Sequence, residues 1–162
     1  MSKTKLLILL LASFFIFSCT KDQSYQSNQK YSLGYIGGEI DGLLLKNYLQ
    51  SYLKNLGIYS QKSDFEIQAN INHTTNLFIT NIDNTSNREK IPITLYTKIV
   101  NKVSKCEIYN DGISISQFYI YASSDKFLSN QKAVKEIKKQ NTEATVKKLV
   151  NKLRIIKNEC DE

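Results

Sequence analysis

The sequence predicts an α+β domain: a four-stranded, mostly antiparallel sheet with two helices packed on one face, in the order β-α-β-β-β-α. In four segments apolar residues alternate with polar ones, which is the pattern of a half-buried strand. In two other segments apolar residues recur every three or four positions, as they do on an amphipathic helix. Because each element has a single apolar face, both helices can be buried on the same face of one sheet.

The first strand and the first helix are expected between residues 31 and 57. Tyr31, Leu33 and Tyr35 alternate with smaller residues and predict a short strand with these three on one face. Asp41 is the predicted N-cap of the helix, since its carboxylate can accept hydrogen bonds from free backbone N–H groups. Gly57 is predicted to end the helix in the left-handed conformation. The apolar face of this helix consists of Leu45, Tyr48, Leu49, Tyr52, Leu53 and Leu56.

Two more strands follow, and the helix before them is a crossover connection, right-handed if the first and second strands are parallel in one sheet. The alternation slips between His73 and Asn76, which indicates a bulge or a bend. Pro92 lacks an N–H and therefore suits the beginning of the third strand or a sheet edge. The predicted buried residues are Phe65, Ile67, Ala69 and Ile71 in the second strand and Ile91, Ile93, Leu95, Thr97 and Ile99 in the third.

The last strand and the last helix leave alternatives open. Residues 110–112, Asn-Asp-Gly, fit either a tight hairpin turn or an irregularity within one long strand. We favour the second, with the hairpin tip near Ser104. The stretch from Lys126 to Lys157 predicts one long helix, although the weakly apolar residues around Gln140 also allow a break there. The apolar side of this helix consists of Val134, Ile137, Ala144, Leu149, Leu153 and Ile156.

Residues 1–18 have the features of a signal peptide. Lys3 and Lys5 precede an uncharged stretch of thirteen residues, Leu6 to Ser18. As a helix this stretch rises only about 20 Å, too little to cross a bilayer core of about 30 Å. It ends in Ile16-Phe17-Ser18-Cys19, which resembles the lipobox of bacterial lipoproteins. The resemblance implies cleavage before Cys19 and acylation of that residue. Thr20 follows the cysteine where an aspartate would signal retention in the inner membrane, so by the same family rule attachment to the outer membrane, on its periplasmic side, is favoured.

The remaining chain divides by composition. Residues 19–30 are polar and predict a flexible tether, residues 31–158 a single domain, and residues 159–162 a tail. The formal charge of +7 falls to +5 when the two lysines of the signal peptide are removed. Residues 132–157 contain nine basic and two acidic side chains, which favours an anionic partner or, more commonly, indicates a solvated helix face. Export from the cytoplasm argues against nucleic acid as the partner.

The two remaining cysteines are Cys106 and Cys160. In an oxidising periplasm they either form one disulfide between a strand and the end of the last helix or remain two thiols. A domain of this length can bury a core without a disulfide, so the sequence leaves both states open.

Motifs for catalysis are absent from the sequence: it contains no glycine-rich phosphate loop, nucleophile elbow or metal-ligand spacing. His73 is the only histidine, and we interpret it as a surface residue of a polar strand. The protein is therefore expected to be non-enzymatic and to use no cofactor or metal. Most of its ten tyrosines predict packing between the sheet and the helices, and any on the uncovered sheet face would form a contact surface for a protein or a glycolipid.

The order of several weak motifs points to one family. A leucine-rich helix, "DGLLLKNYLQSYLK", follows the first strand, and Arg88 precedes the strand that contains Leu95-Tyr96. Gly112 then precedes Phe118-Tyr119 and a long C-terminal helix. From about residue 31 to residue 155 this order resembles the outer-membrane lipopolysaccharide (LPS)-assembly lipoproteins (LptE family), especially their divergent alphaproteobacterial members.

The resemblance implies a non-enzymatic lipoprotein that plugs and helps to assemble the LPS-translocating β-barrel (LptD-like) and binds LPS during its export. Arg88 matches the family arginine and is the first candidate to contact lipid A phosphates, and Lys90 and Lys98 are added for their neighbouring charge. Two other functions stay open. One is a generic periplasm-facing envelope lipoprotein that scaffolds another complex or binds peptidoglycan, and the other is a small hydrolase whose site is assembled from distant residues.

Overall fold

The computed structural model of the chain describes residues 29–74, 76–79, 87–120, 126–156 and 160. The predicted signal peptide, Cys19, most of the predicted tether and most of the predicted tail lie outside these residues. The α+β class and the predicted order of elements are confirmed. The elements are β1 (Tyr31–Gly37), α1 (Glu39–Asn55), β2 (Phe65–His73), β3 (Asn76–Ile79), β4 (Asn87–Asn101), β5 (Cys106–Ile120) and α2 (Phe127–Leu153).

The sheet is four strands wide because β2 and β3 are two segments of one line. Both pair antiparallel with β4, and the register is continuous: Phe65 lies opposite Asn101 and Asn76 lies opposite Lys90. Lys90 also pairs with Phe118 of β5, so β3 and β5 must flank β4 on opposite sides. Of the predicted bulge or bend between His73 and Asn76, the bulge is therefore wrong, since the register is the same before and after the interruption, and the bend stays a prediction.

Pro92 explains the interruption. The backbone N–H of Thr74 donates to the carbonyl of Pro92 (3.2 Å), but Pro92 has no N–H to donate in return. The pairing therefore weakens where β2 ends and resumes at Asn76. The expectation that Pro92 opens a strand or lies at an edge is wrong: it is the sixth residue of β4, a central strand paired on both sides.

β1 pairs parallel with β2, as a crossover through α1 requires. The register shifts between Leu33 and Ile36, which turns Tyr35 away from the core. Tyr31 is fully buried, whereas Tyr35 is 74% exposed, so the predicted shared face of the two tyrosines is wrong. The extra residue of a bulge reverses the alternation, and simple period-two counting does not detect it.

Helix α1 begins two residues before the predicted cap. Gly38 has a φ of 115° and precedes the helix, and a side chain there would collide with the side chain and carbonyl of Ile71. Asp41 lies inside the first turn and does not cap the helix, which corrects the prediction. Gly57 ends the helix in the left-handed conformation as predicted (φ 70°), with the N–H of Ile58 donating to the carbonyl of Leu53 (3.0 Å).

β4 and β5 form a long hairpin whose tip is at residues 102–105, near Ser104 as expected. Asn110, Asp111 and Gly112 continue the strand opposite residues 96–98, so they form no hairpin turn. The irregularity lies earlier, where Ile108 is an extra residue between the pairs of Tyr109 and Glu107.

Helix α2 is continuous from Phe127 to Leu153 and ends four residues before the predicted Lys157. The alternative of a break near Gln140 is wrong because the polar middle of the helix is buried and bonded. The side-chain amide of Asn141 donates to the carbonyl of Ile91 (2.9 Å), and the hydroxyl of Thr145 donates to the carbonyl of Asn141 (2.7 Å).

Both helices pack on the same face of the sheet, and the core lies between the two layers. All five residues predicted to be buried in β4 are buried, and three of the four in β2 are, with Phe65 half-buried. The apolar core consists of Tyr31, Leu45, Leu49, Leu53, Ile67, Ala69, Ile71, Ile93, Leu95, Ile99, Ile113, Val146, Leu149, Val150 and Leu153.

The strand directions give the domain two poles. At the tether pole, β1 begins, and the hydroxyl of Tyr31 donates to the carbonyl of Leu153 at the end of α2 (3.3 Å). A disulfide at the same pole joins Cys106 to Cys160, with a Cα–Cα distance of 6.0 Å. At the distal pole, β1 and β5 end and both helices begin. Chain entry and the end of the last helix are therefore on one side of the domain, and both helix N-termini are on the other.

Candidate functional site

The uncovered face of the sheet is the face opposite the two helices. Alternate residues of β2, β4 and β5 point to this face, because their neighbours in sequence fill the core. It is largely polar, and its central residues are Glu66, Gln68, Asn70 and Asn72 of β2, Thr94, Tyr96 and Lys98 of β4, and Asn110, Ser114 and Ser116 of β5. A polar face of this kind is solvated or meets a polar partner.

The three predicted cationic residues lie on β4, but not together. Arg88 and Lys90 are near the distal pole, whereas Lys98 is eight residues further along the strand, a separation of about 26 Å from Lys90. Lys98 forms an ion pair with Glu107, which lowers the pKa of that carboxyl group. The side chain of Arg88 lies outside the described part of the structure. The three residues therefore do not form one site, and Lys98 has its own counter-ion.

The distal end of the uncovered face combines a cation with apolar side chains. Phe118 pairs with Lys90 across the two strands, and the ammonium group of Lys90 is 6.0 Å from the centre of the Phe118 ring. Ile120 lies opposite Arg88 in the register of the same two strands. Phe118 is 60% exposed and Ile120 is 64% exposed. We call Lys90, Phe118 and Ile120 the distal patch.

Sequence reasoning found only part of the distal patch. Lys90 was selected for its charge, and Phe118 was matched to a family position. The contact between these two residues was not predicted, and Ile120 was not selected. The missing signal is the register of the β4–β5 hairpin, since a tip at residues 102–105 brings residues 118 and 120 opposite residues 90 and 88.

The tyrosines mostly pack, as predicted. Tyr31 is fully buried, and burial raises the pKa of its hydroxyl to about 12. Four others are packed against the core from its margin: Tyr48, Tyr52, Tyr59 and Tyr109. Tyr119 is half-buried, and its hydroxyl donates to Oδ1 of Asn130. Two of the described tyrosines are exposed, Tyr35 (74%) and Tyr96 (61%), and the ring of Tyr96 lies over Gly112 on the uncovered face, where no side chain intervenes. Tyr96 therefore offers an amphipathic surface near the middle of the sheet.

His73 is buried, which corrects its interpretation as a surface residue. Its side chain is 1% exposed, and its Nδ1 lies 2.8 Å from Oδ2 of Asp41 in the first turn of α1. The Nε2 atom has no hydrogen-bond partner among the described residues. The pair joins the beginning of α1 to the end of β2.

A cleft of about 650 Å³ lies at the distal pole beside this pair. The first turn of α1 forms one wall, α2 forms the other, and Glu89 of β4 lies between them. Ile40 and Phe127 are exposed at its margin, while Asp41, Lys135 and Lys138 supply charges of both signs. With Glu39 and Glu89 included, the cleft is not a purely cationic site.

The nine basic side chains of residues 132–157, most of them in α2, form a basic stripe that is partly neutralised. Lys147 pairs with Glu143 (2.9 Å), which lowers the pKa of Glu143 and raises that of the lysine. Lys152 pairs with Asp111 of β5 and lowers the pKa of that carboxyl group. Within the described residues, four exposed lysines form no ion pair: Lys132, Lys135, Lys139 and Lys148. The half of the stripe nearer the distal pole therefore contains most of the uncompensated charge.

In the described part of the chain, no helix combines the length and the apolar character needed to cross a membrane. No group of three or more histidine, cysteine, aspartate or glutamate side chains in it is arranged to hold a metal ion.

Comparison with known proteins identifies the fold. No family model matches the chain, and no curated protein is significantly similar to it. Among solved structures it is similar to a minor lipoprotein from Acinetobacter baumannii, with a TM-score of 0.58, 15% identity, and coverage of 78% of this chain and 90% of that one. It is also similar to an uncharacterized lipoprotein B from Nitrosomonas europaea, with a TM-score of 0.60, 7% identity, and coverage of 78% and 82%.

A third structure, the rare lipoprotein B from Shewanella oneidensis, has a TM-score of 0.50 and 10% identity, with coverage of 75% of this chain and 96% of that one. At such identities the similarity shows the fold alone. The domain therefore has the fold of several solved bacterial lipoproteins.

Proposed function

We propose that this protein is a non-enzymatic outer-membrane lipoprotein, anchored through Cys19, that plugs the LPS-translocating β-barrel, assists its assembly and binds LPS during export. The order of motifs from residue 31 to residue 155 resembles the LPS-assembly lipoproteins, and the lipobox supplies the anchor. The fold, shared with bacterial lipoproteins from three organisms, supports the same reading. A lipid tether would hold the domain at high effective concentration beneath its barrel.

The observation that carries the proposal is the distal patch. A phosphorylated glycolipid has an anionic head and acyl chains, and a surface that binds it needs a cation next to apolar side chains. Lys90 lies against Phe118, and Ile120 continues the apolar surface beside Arg88. The tether pole is at the other end of the domain, so the anchor leaves the patch accessible.

Charge reversal of one patch lysine tests LPS binding. We expect Lys90→Glu to weaken the binding of purified LPS about tenfold at fixed salt, because one cationic contact to phosphate becomes repulsive. Lys98→Glu is the matched control, since it makes the same change in net charge about 26 Å along the same strand. Equal losses in both variants would indicate non-specific attraction, and unchanged affinity of Lys90→Glu would contradict the proposed site.

Co-purification tests the partner. The lipidated protein is extracted from its own host in mild detergent, and the proteins that accompany it are identified. A large β-barrel in near-stoichiometric amount would support the plug. Recovery of the lipoprotein alone, together with binding to isolated sacculi, would instead favour a generic envelope lipoprotein that binds peptidoglycan.

A further inference from the structure

One row of residues crosses the uncovered face near the middle of the sheet. The strand registers place Gly37 of β1 beside Asn70 of β2 and Asn70 opposite Tyr96 of β4. Tyr96 in turn lies opposite Gly112 of β5. Neighbouring strands are about 4.8 Å apart, so the row is about 14 Å long. Two glycines therefore lie at the ends of a row whose other members are an amide and a phenol.

A tyrosine ring lies over each of these glycines. A Cβ atom at Gly37 would be 3.1 Å from the hydroxyl of Tyr35 and 2.8 Å from Oδ1 of Asn70. A Cβ atom at Gly112 would be 3.5 Å from Cε1 of Tyr96. Both tyrosines and Asn70 are exposed, so two rings flank one amide on an open surface. We call Tyr35, Asn70 and Tyr96 the tyrosine platform.

The tyrosine platform is polar, aromatic and uncharged. Two charged side chains, Lys98 and Glu66, follow it on the same face towards the tether pole. Lys98 forms an ion pair with Glu107, and Glu66 accepts a hydrogen bond from the side-chain amide of Gln68 (2.9 Å). Within the described residues, this part of the face therefore offers no uncompensated cation to a phosphate, and the row offers no aliphatic side chain to an acyl chain.

A sugar ring has the chemistry that matches this surface. Its C–H groups form an apolar side that can pack on an aromatic ring, and its hydroxyls donate and accept hydrogen bonds. The rings of Tyr35 and Tyr96 offer the first kind of contact. Their hydroxyls and the amide of Asn70, which donates and accepts, offer the second. A row of about 14 Å accommodates about two or three sugar rings in line.

The tyrosine platform lies on the same face as the distal patch, further along β4. Tyr96 is six residues from Lys90, a separation of about 20 Å. The face between them carries hydroxyl groups: those of Thr94 and Ser114 are 3.1 Å apart, and Ser116 continues towards the patch. From the distal pole, the face therefore presents a cation with apolar side chains, then hydroxyls, and then the platform.

We infer that the tyrosine platform binds the uncharged saccharide chain of the same phosphorylated glycolipid whose anionic head and acyl chains contact the distal patch. This inference rests on the proposed function, because it takes that glycolipid as the occupant of the face. Along such a molecule acyl chains are followed by phosphate and then by sugars, and the face has matching groups in the same order. Contacts at both places would align the glycolipid along β4.

A lipid-free saccharide tests the platform separately from the distal patch. The probe is the neutral oligosaccharide released from the host's LPS by mild acid and freed of lipid A. It is titrated by calorimetry into the lipidated protein in a detergent without a sugar head group. We expect Tyr96→Ala to weaken its binding about tenfold, because a packed ring is lost, and Tyr96→Phe to weaken it less than about threefold. Lys90→Glu should leave this affinity unchanged, since the probe contains no phosphate.

A pair of glycine substitutions tests the geometry of the row. Gly37→Ala places a Cβ atom against Asn70 and Tyr35 and should displace them, whereas Gly112→Ala leaves room for its Cβ atom beside Tyr96. We expect the saccharide affinity to fall about tenfold in the first and to stay within about twofold of the wild type in the second. Equal affinities in the two folded variants would contradict the inferred row. If circular dichroism shows that Gly37→Ala does not fold, Tyr96→Ala decides the question.

Three results would overturn the inference. The first is a wild-type protein that binds no lipid-free saccharide, or a Tyr96→Ala variant with unchanged affinity. The second is equal affinity for soluble glycan strands from peptidoglycan, which would remove the assignment to the glycolipid. The third is loss of the co-purified barrel from Tyr96→Ala with saccharide binding intact, which would assign the face to a protein.

Lipid A without its oligosaccharide separates the inference from the proposed function. Its binding should be weakened by Lys90→Glu and unchanged in Tyr96→Ala. A wild-type protein that binds lipid A but not the saccharide would overturn the inference alone. A protein that binds the saccharide but not lipid A would contradict the proposed LPS site and leave the platform standing.

Discussion

The two faces of β4 are built from alternate residues of one strand and have opposite properties. Ile91, Ile93 and Leu95 are fully buried under the helices, whereas Thr94, Tyr96 and Lys98 face away from them. The buried residues make no contact with anything outside the domain, and the outward residues contribute little to the core. Within β4, the buried residues therefore stabilise the fold, and the outward-facing residues alternating with them are the ones that a partner could contact. Substitutions on the two faces should therefore have different effects, and the same contrast between a buried and an exposed residue can be tested in β4, β1 and α2.

The largest difference is expected between neighbours in sequence. Leu95→Ala removes buried methyl groups from the core and should lower the free energy of unfolding by about 2–5 kcal/mol. Thr94→Ala removes only a hydroxyl that lies 3.1 Å from that of Ser114 on the uncovered face, and should cost about 0.5 kcal/mol. Urea unfolding of both variants measures the contrast. Similar losses would show that the uncovered face also contributes to the core.

Alkaline pH should distinguish two tyrosines of β1. Burial raises the pKa of Tyr31 to about 12 in the folded protein, above the value of about 10 in the unfolded chain. The folded state therefore keeps a proton that the unfolded state loses, and stability should fall by up to about 3 kcal/mol as pH rises from 10 to 12. Tyr31→Phe should remove this part of the pH dependence, whereas Tyr35→Phe, on an exposed ring, should not. The measurement is urea unfolding across this pH range.

The buried side also contains a polar residue, so the contrast between buried and exposed residues is not simply one between apolar and polar side chains. Asn141 is fully buried, and its amide donates to the carbonyl of Ile91. Asn141→Ala removes a buried hydrogen bond to that carbonyl, which is also paired with β5, and should cost about 0.5–1.5 kcal/mol, while Gln140→Ala on the exposed side should be nearly neutral. A neutral Asn141→Ala in thermal unfolding would mean that this hydrogen bond adds no net stability.

The alternation of β2 and β4 and the leucine face of α1 were predictable because they depend only on local period. The features that were missed depend on neighbours. The position of Pro92 in a central strand involves the opposing strand, whose pairing Pro92 interrupts, and the exposure of Tyr35 follows from a register shift against β2. Neither can be read from the segment that contains it. Helix α2 stays unbroken because Asn141 finds a carbonyl fifty residues away in sequence.

The candidate site shows the same division. Lys90 could be chosen from charge, but its contact with Phe118 requires the hairpin register. Lys98 was chosen for the same reason, and Glu107, which pairs with it, lies across the hairpin tip. The burial of His73 depends on Asp41 in the helix before it. In each case the sequence supplies the residue type, and a partner distant in the chain decides what that residue does.

The contact between Tyr31 and Leu153 has a consequence for how far the protein reaches. It fixes the start of the domain at the end opposite Lys90, and the eleven residue-to-residue steps of β4 from Lys90 to Asn101 span about 36 Å. The twelve residues from Cys19 to Lys30 extend at most about 40 Å. A protein attached to lipid at Cys19 can thus carry the distal patch across a gap of several nanometres, and shortening this segment would draw the patch towards the bilayer.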